Sequence, residues 1–150
     1  MRTPASIAGH PIHPMLVPIP IGLWIFSLVC DLVGAAGSTN PAWSTVALYT
    51  LAGGIVGALL AAVPGLIDLL SLPPGPRRTA LIHMSINLTV VALYAINLWI
   101  RLNATERSGA PLWLSIIGIG LLVVSGWLGG KMVYVYGIAV ETPPPPTTRR

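Results

Sequence analysis

TALIHMSINLTVVALYAINLWI, from Thr79 to Ile100, runs for 22 residues without a formally charged side chain. As a helix it would be about 33 Å long at ~1.5 Å per residue, enough to cross the roughly 30 Å hydrocarbon core of a bilayer. Its polar residues are not scattered. At about 100° per residue, with His83 at zero, Asn87 falls near 40°, Tyr94 near 20° and Asn97 near −40°. An unpaired amide or imidazole in hydrocarbon costs several kcal/mol, so this single stripe must turn toward other helices. The stretch therefore predicts a transmembrane helix inside a bundle, with interhelical hydrogen bonds satisfying Asn87, Tyr94 and Asn97.

Three other stretches reach the length a crossing needs: Met15 to Ala36, Ser44 to Pro64 and Leu112 to Gly130. Short links make sequence neighbours antiparallel, so the expected fold is an all-α four-helix transmembrane bundle, one domain over residues 1–140. Composition agrees. Of 150 residues 54% are apolar, only the 8 Lys+Arg and 4 Asp+Glu carry formal charge, and the mean hydropathy is +0.80. A water-soluble globule would carry about a quarter charged residues. The pI near 9.9 does not indicate nucleic acid, because the cations are spread between apolar spans and form no basic face. The lone Cys30 excludes an internal disulfide and a cysteine-based zinc cage.

The cations instead set topology. Arg2, Arg77, Arg78, Lys131, Arg149 and Arg150 fall on one side of the four spans, and Arg101 and Arg107 on the other. The positive-inside bias then puts both termini in the cytoplasm. The small residues Gly34-Ala35-Ala36-Gly37 after an apolar run resemble a signal-peptide end, but that run is too long and contains Asp31, so the first span is expected to stay. Residues 141–150, with Pro143 to Pro146 in a row, read as an extended disordered tail.

Lipid gives helices no hydrophobic reason to associate, so close approach has to come from small residues. Gly53, Gly57 and Ala61 in the second span, and Gly118, Gly126 and Gly130 in the fourth, are the expected contact stripes. Trp43, Trp99 and Trp113 fall where an outer aromatic belt would lie.

The histidines carry the functional signal. His10 and His13 precede the first span, His83 opens the third and Asp68 follows the second, all on the cytoplasmic side of the expected topology. Imidazoles and a carboxylate at one depth are ligands for a transition metal or haem iron. The candidate set is therefore His10, His13 and His83 for a cofactor, with Asp68 added for a bare metal ion. The prolines after His10 and His13 favour extended backbone at both, which argues against a helical i, i+3 chelate. Asp68 has Arg77 and Arg78 as alternative partners, and Asp31 and Arg101 close the first and third spans at the outer side, where they are expected to pair.

Shifting the chain by 70 positions brings Ile12-His13 onto Ile82-His83 and Trp24 onto Tyr94, and the second span approximately onto the fourth. Two parallel helix hairpins about an axis along the membrane normal would make His13 and His83 equivalent, as a bis-histidine haem requires.

The string Gly9-His10-Pro11-Ile12-His13-Pro14 with Val17-Pro18-Ile19-Pro20-Ile21-Gly22 resembles the bacterial membrane family called domain of unknown function 2231. The resemblance continues through Ala62 to Asp68, through His83 with Asn87, and through Ser125-Gly126-Trp127-Leu128-Gly129-Gly130. It implies a four-span membrane domain. Some relatives are fused to Rieske-type iron-sulfur domains, which implies an electron-transfer setting. This chain has no Rieske motif, so such a partner, or a cytochrome, would be a separate chain.

The leading expectation is a small membrane subunit that holds haem b or a transition metal for electron transfer or metal binding, free to assemble as a homo-oligomer. The alternative is a structural or assembly subunit without cofactor. A small-solute or proton transporter is weaker, because no inverted repeat or pair of half-helices marks a midplane site. An enzyme is least supported, for want of any Ser/His/Asp set, Walker loop, dinucleotide fingerprint or His-Glu-x-x-His string.

Overall fold

The computed structural model describes residues 3–103 and 109–140. The proline-rich tail, Arg2 and Arg107 lie outside the described residues. A two-residue pair of antiparallel strands, β1 (Ser6–Ile7) and β2 (His10–Pro11), turns through Ala8 and Gly9, both at positive φ. There follow α1 (Ile12–Leu16), α2 (Pro18–Ala35), α3 (Ala42–Leu70), α4 (Pro74–Asn103) and α5 (Ala110–Tyr134). With α1 and α2 counted as one span over Ile12–Ala35, the four helical segments are each long and apolar enough to cross a membrane.

The α1–α2 joint at Val17 has a local cause. Pro18 and Pro20 have no N–H to give the carbonyls of Pro14 and Leu16, so the ladder is interrupted while Val17 keeps helical angles. Pro64, where the sequence suggested the second span ends, instead sits buried inside α3, which continues to Leu70 and carries Asp68 in its last turn. The proline backbone expectation fits His10, which is in a strand, but not His13, which is helical. Pro14 occupies the first turn of α1, where no intrahelical N–H donor is needed, and that position tolerates proline.

Helix α2 packs chiefly on α3, and α4 chiefly on α5, with α3 against α4 and α2 against α5 joining the two hairpins. The hairpins repeat one another in detail. Trp24 lies against Gly54 and its Nε1–H donates to Leu51 O at 3.2 Å, while Tyr94 lies against Gly118 and its hydroxyl approaches Ser115 O at 3.5 Å. Ser27 Oγ donates to Ala47 O at 2.8 Å, and Asn97 Nδ2 to Pro111 O at 2.9 Å. In every case the first partner shifts by 70 positions and the second by 64. The parallel hairpin repeat expected from sequence is therefore present in the packing, with six fewer residues between matched positions in the second hairpin.

The pairs related by 70 positions meet face to face, in three layers. His13 and His83 stand at one end of the bundle, with ring centres 6.3 Å apart. Trp24 and Tyr94 stack in the middle at 4.2 Å, their planes 2° apart. Asp31 and Arg101 close the other end as an ion pair. From 13 to 24 to 31 the steps are 11 and 7 residues, both close to whole helical turns, which is why all three layers share one face. Leu51 and Val90 complete the centre of the core, and Leu69, Leu72, Ala80 and Ile138 form a second cluster.

Large side chains such as Val56, Leu60, Val63, Val123 and Trp127 point outward and are mostly exposed, as a lipid-facing surface requires. Trp99 and Trp113 are exposed near the ion-pair end and Trp43 is half-buried there. The glycine expectation needs correction. The tight contacts fall at Gly54, Gly57, Gly65 and Gly118, whereas a side chain at Gly126 or Gly130 would meet open space. Spacing alone finds a stripe of small residues, but not which neighbour, if any, faces it.

Candidate functional site: a histidine pair at one end of the bundle

His13 on α1 and His83 on α4 face each other with interplanar angle 89°, each half-buried. Each imidazole has a glycine behind it. A Cβ on Gly65 would come within 2.8 Å of His13 Nδ1, and one on Gly129 within 3.5 Å of His83 Cε1. Both rings are also oriented by main-chain carbonyls of the next span, α3 for His13 and α5 for His83. His13 Nδ1 lies 2.8 Å from Ala61 O, and His83 Nδ1 lies 2.9 Å from Ser125 O. A carbonyl only accepts, so Nδ1 carries a proton in both rings, and in the neutral imidazole the lone pair then sits on Nε2.

The two Nε2 atoms differ. Asn87, one turn after His83, donates from Nδ2 to His83 Nε2 at 3.0 Å. Ser125 Oγ donates to Asn87 Oδ1 at 3.0 Å and lies 2.9 Å from His83 Nδ1, so imidazole, amide and hydroxyl close into one network. Among the described residues, no hydrogen-bond partner meets His13 Nε2.

The other two candidate ligands stand apart. His10 is exposed on β2 and turns its Nδ1 to Ala8 O at 3.0 Å within its own tight turn. Asp68 Oδ1 accepts the Ala5 N–H at 2.9 Å, which fastens the N-terminal strands to the end of α3. Among the described residues no group of three or more His, Cys, Asp and Glu side chains is gathered as a metal cage. What the fold brings together is His13 and His83.

Asn97, Arg101 and Asp31 are accounted for by helix pairing. Asn97 Nδ2 donates to Pro111 O and to Ser115 Oγ, and its Oδ1 accepts from Arg101 Nε at 2.8 Å. Arg101 grips Asp31 with both terminal nitrogens. Sequence reading took Asn87 as helix glue and missed its bond to a histidine. The signal was there in the i, i+4 spacing from His83 to Asn87, which places both on one helix face. Ser125 had no comparable signal, because its role depends on which turn of α5 meets α4.

A family model described as "Predicted membrane protein (DUF2231)" matches residues 9–142. No curated protein and no solved structure matches the chain.

Proposed function

The chain belongs to the DUF2231 family of predicted membrane proteins, and from that premise we propose that it is a small metal-binding or electron-carrying membrane subunit whose His13 and His83 hold one transition-metal centre. The observation that carries this reading is the preorganised imidazole pair. Metal-ligating histidines typically give their second ring N–H to a backbone carbonyl, which fixes the tautomer and raises the basicity of the ligating nitrogen, and both rings are held this way. The spacing also fits. In a collinear nitrogen–metal–nitrogen arrangement, two bonds of about 2.0–2.1 Å with half a ring on either side would span roughly 6 Å, against a separation of 6.3 Å between ring centres.

A bare ion and a haem iron share this bis-imidazole chemistry. Either would supply a one-electron couple or a Lewis-acidic centre, while the protein supplies two neutral nitrogens, fixed in orientation, at one end of an apolar bundle. A separate redox chain, of Rieske or cytochrome type, would exchange electrons at that end.

Protein purified in detergent from haem- and metal-replete cells is expected to show either a Soret band that shifts with dithionite or a stoichiometric metal by elemental analysis. The signal should be lost in His13→Ala and in His83→Ala. It should survive in His10→Ala and Asp68→Asn, since among the described residues neither side chain is gathered with the histidine pair into a cage. Folded protein that is colourless and metal-free under those conditions overturns the reading.

A second reading rests on the closed network around His83, whose hydrogen bonds are complete without a ligand. On that reading the pair ties the hairpins together in a structural or assembly subunit. His83→Ala would then lower stability, with no spectroscopic or metal signal to lose.

A further inference from the structure

The two hairpins share their packing rather than all of their side chains, and two of the differences fall beside the histidines. Position 87 is Asn, but its counterpart 70 residues earlier is Val17, which has no group to offer His13. Position 125 is Ser, but its counterpart 64 residues earlier is Ala61, which gives only its carbonyl. Asn87 and Ser125 bond to each other and to the same imidazole. Both differences thus bear on His83: Asn87 occupies its Nε2, and Ser125 lies against its Nδ1 while holding Asn87.

We infer that Asn87 is an internal competitor for the metal: its amide occupies the lone pair that His83 would donate, so His13 is the open ligand and His83 joins only when Asn87 lets go. This deepens the metal-centre reading and rests on it. An amide N–H and a metal cannot share one nitrogen lone pair. Ser125 Oγ–H, donating to Asn87 Oδ1, keeps the amide turned toward the ring. The site then has an order of assembly, capture at His13 first and closure by His83 second. Asn87 is a positioning residue in this scheme, acting on the centre through His83.

Asn87→Val installs the side chain type found at the equivalent Val17, and Ser125→Ala the one found at Ala61, so each variant carries a residue the other hairpin already tolerates. Diethyl pyrocarbonate, which acylates an imidazole nitrogen through its free lone pair, reads the competitor without any metal. With site-resolved mass spectrometry at neutral pH, wild-type His13 should be modified roughly tenfold faster than His83, the population effect of one hydrogen bond of about 1.4 kcal/mol. In Asn87→Val the two rates should converge, and Ser125→Ala should move His83 in the same direction. Titration with Cu2+, the divalent ion imidazole sites favour most, should show affinity roughly tenfold tighter in Asn87→Val than in wild type, and none in His13→Ala. Equal acylation of the two histidines in wild-type protein, or a His83 rate unchanged in both variants, overturns the competitor. Copper or haem bound equally well by wild type and Asn87→Val overturns it too, while leaving the metal centre standing. Neither copper nor haem on either protein removes the metal centre and the competitor together.

Discussion

Arg101→Leu is expected to destabilise the bundle by about 3–5 kcal/mol, because it strands a buried carboxylate without its counter-charge. The side chains of Asp31 and Arg101 are only 11% and 12% exposed, and the guanidinium meets both carboxylate oxygens in a two-pronged grip. Asn97 Oδ1 holds Arg101 Nε from behind, and Ser115 Oγ lies 3.5 Å from Asp31 Oδ2. Removing the arginine therefore takes a partner from two helices at once, from Asp31 on α2 and from Asn97 on α4. Asp31→Leu should cost a similar amount for the mirrored reason, a cation left among apolar side chains. The double variant Asp31→Leu with Arg101→Leu should recover most of the loss, since two well-packed apolar residues of similar volume replace a pair whose desolvation had offset most of its attraction. Thermal unfolding of the purified protein in detergent, across the four proteins, gives the cycle. A double variant no more stable than either single one would show that the charges do more than neutralise each other.

This ion pair was legible before any coordinates, and the reason marks what a sequence like this one reveals. Charges in apolar spans are few and costly, so two opposite ones at the same depth have little choice of partner. The same scarcity made the four spans and the polar stripe readable from His83 to Asn97. The duplication was faintly visible because it left identities at 13/83 and an aromatic at 24/94, and Asp31 and Arg101 obey the same 70-residue shift as opposites rather than identities. What could not be read was the detail of α3 and α5 against their partners. Their shift is 64, not 70, and only contact identifies the turn that meets each ring. Pro64 illustrates the point: local preference argues for a helix end, but neighbours that bury the ring keep the helix running to Leu70. At the candidate site, sequence could place four ligand-type side chains at one end of the bundle. It could not foresee that a backbone N–H at Ala5 would take Asp68, that a local turn would take His10, or that Asn87 would take one face of the pair that remained.

Gly54→Ala is the second substitution with a large expected effect, about 3 kcal/mol, at the upper end of what overpacking a core usually costs. The added methyl would lie 2.5 Å from Trp24 Cδ1 and closer still to Nε1. The indole is 2% exposed and stacked on Tyr94, which is 1% exposed and is itself backed by Gly118, so neither ring has room to retreat. Trp24 can make way only by giving up its bond to Leu51 O and separating the hairpins. Gly118→Ala should cost less, because the nearest atom is the Cε2 edge of Tyr94 at 2.8 Å and the tyrosine hydroxyl holds its carbonyl only at 3.5 Å. Gly22→Ala, which meets nothing within 4 Å, should leave unfolding unchanged or slightly raise its midpoint through helix propensity. The informative quantity is the double variant. If Gly54 and Gly118 clear space for one shared aromatic layer, opening it once relieves both methyls, and the combined loss should fall well short of the sum. Losses that simply add would mean the hairpins carry independent packing sites, and the middle layer would no longer count as the joint between them.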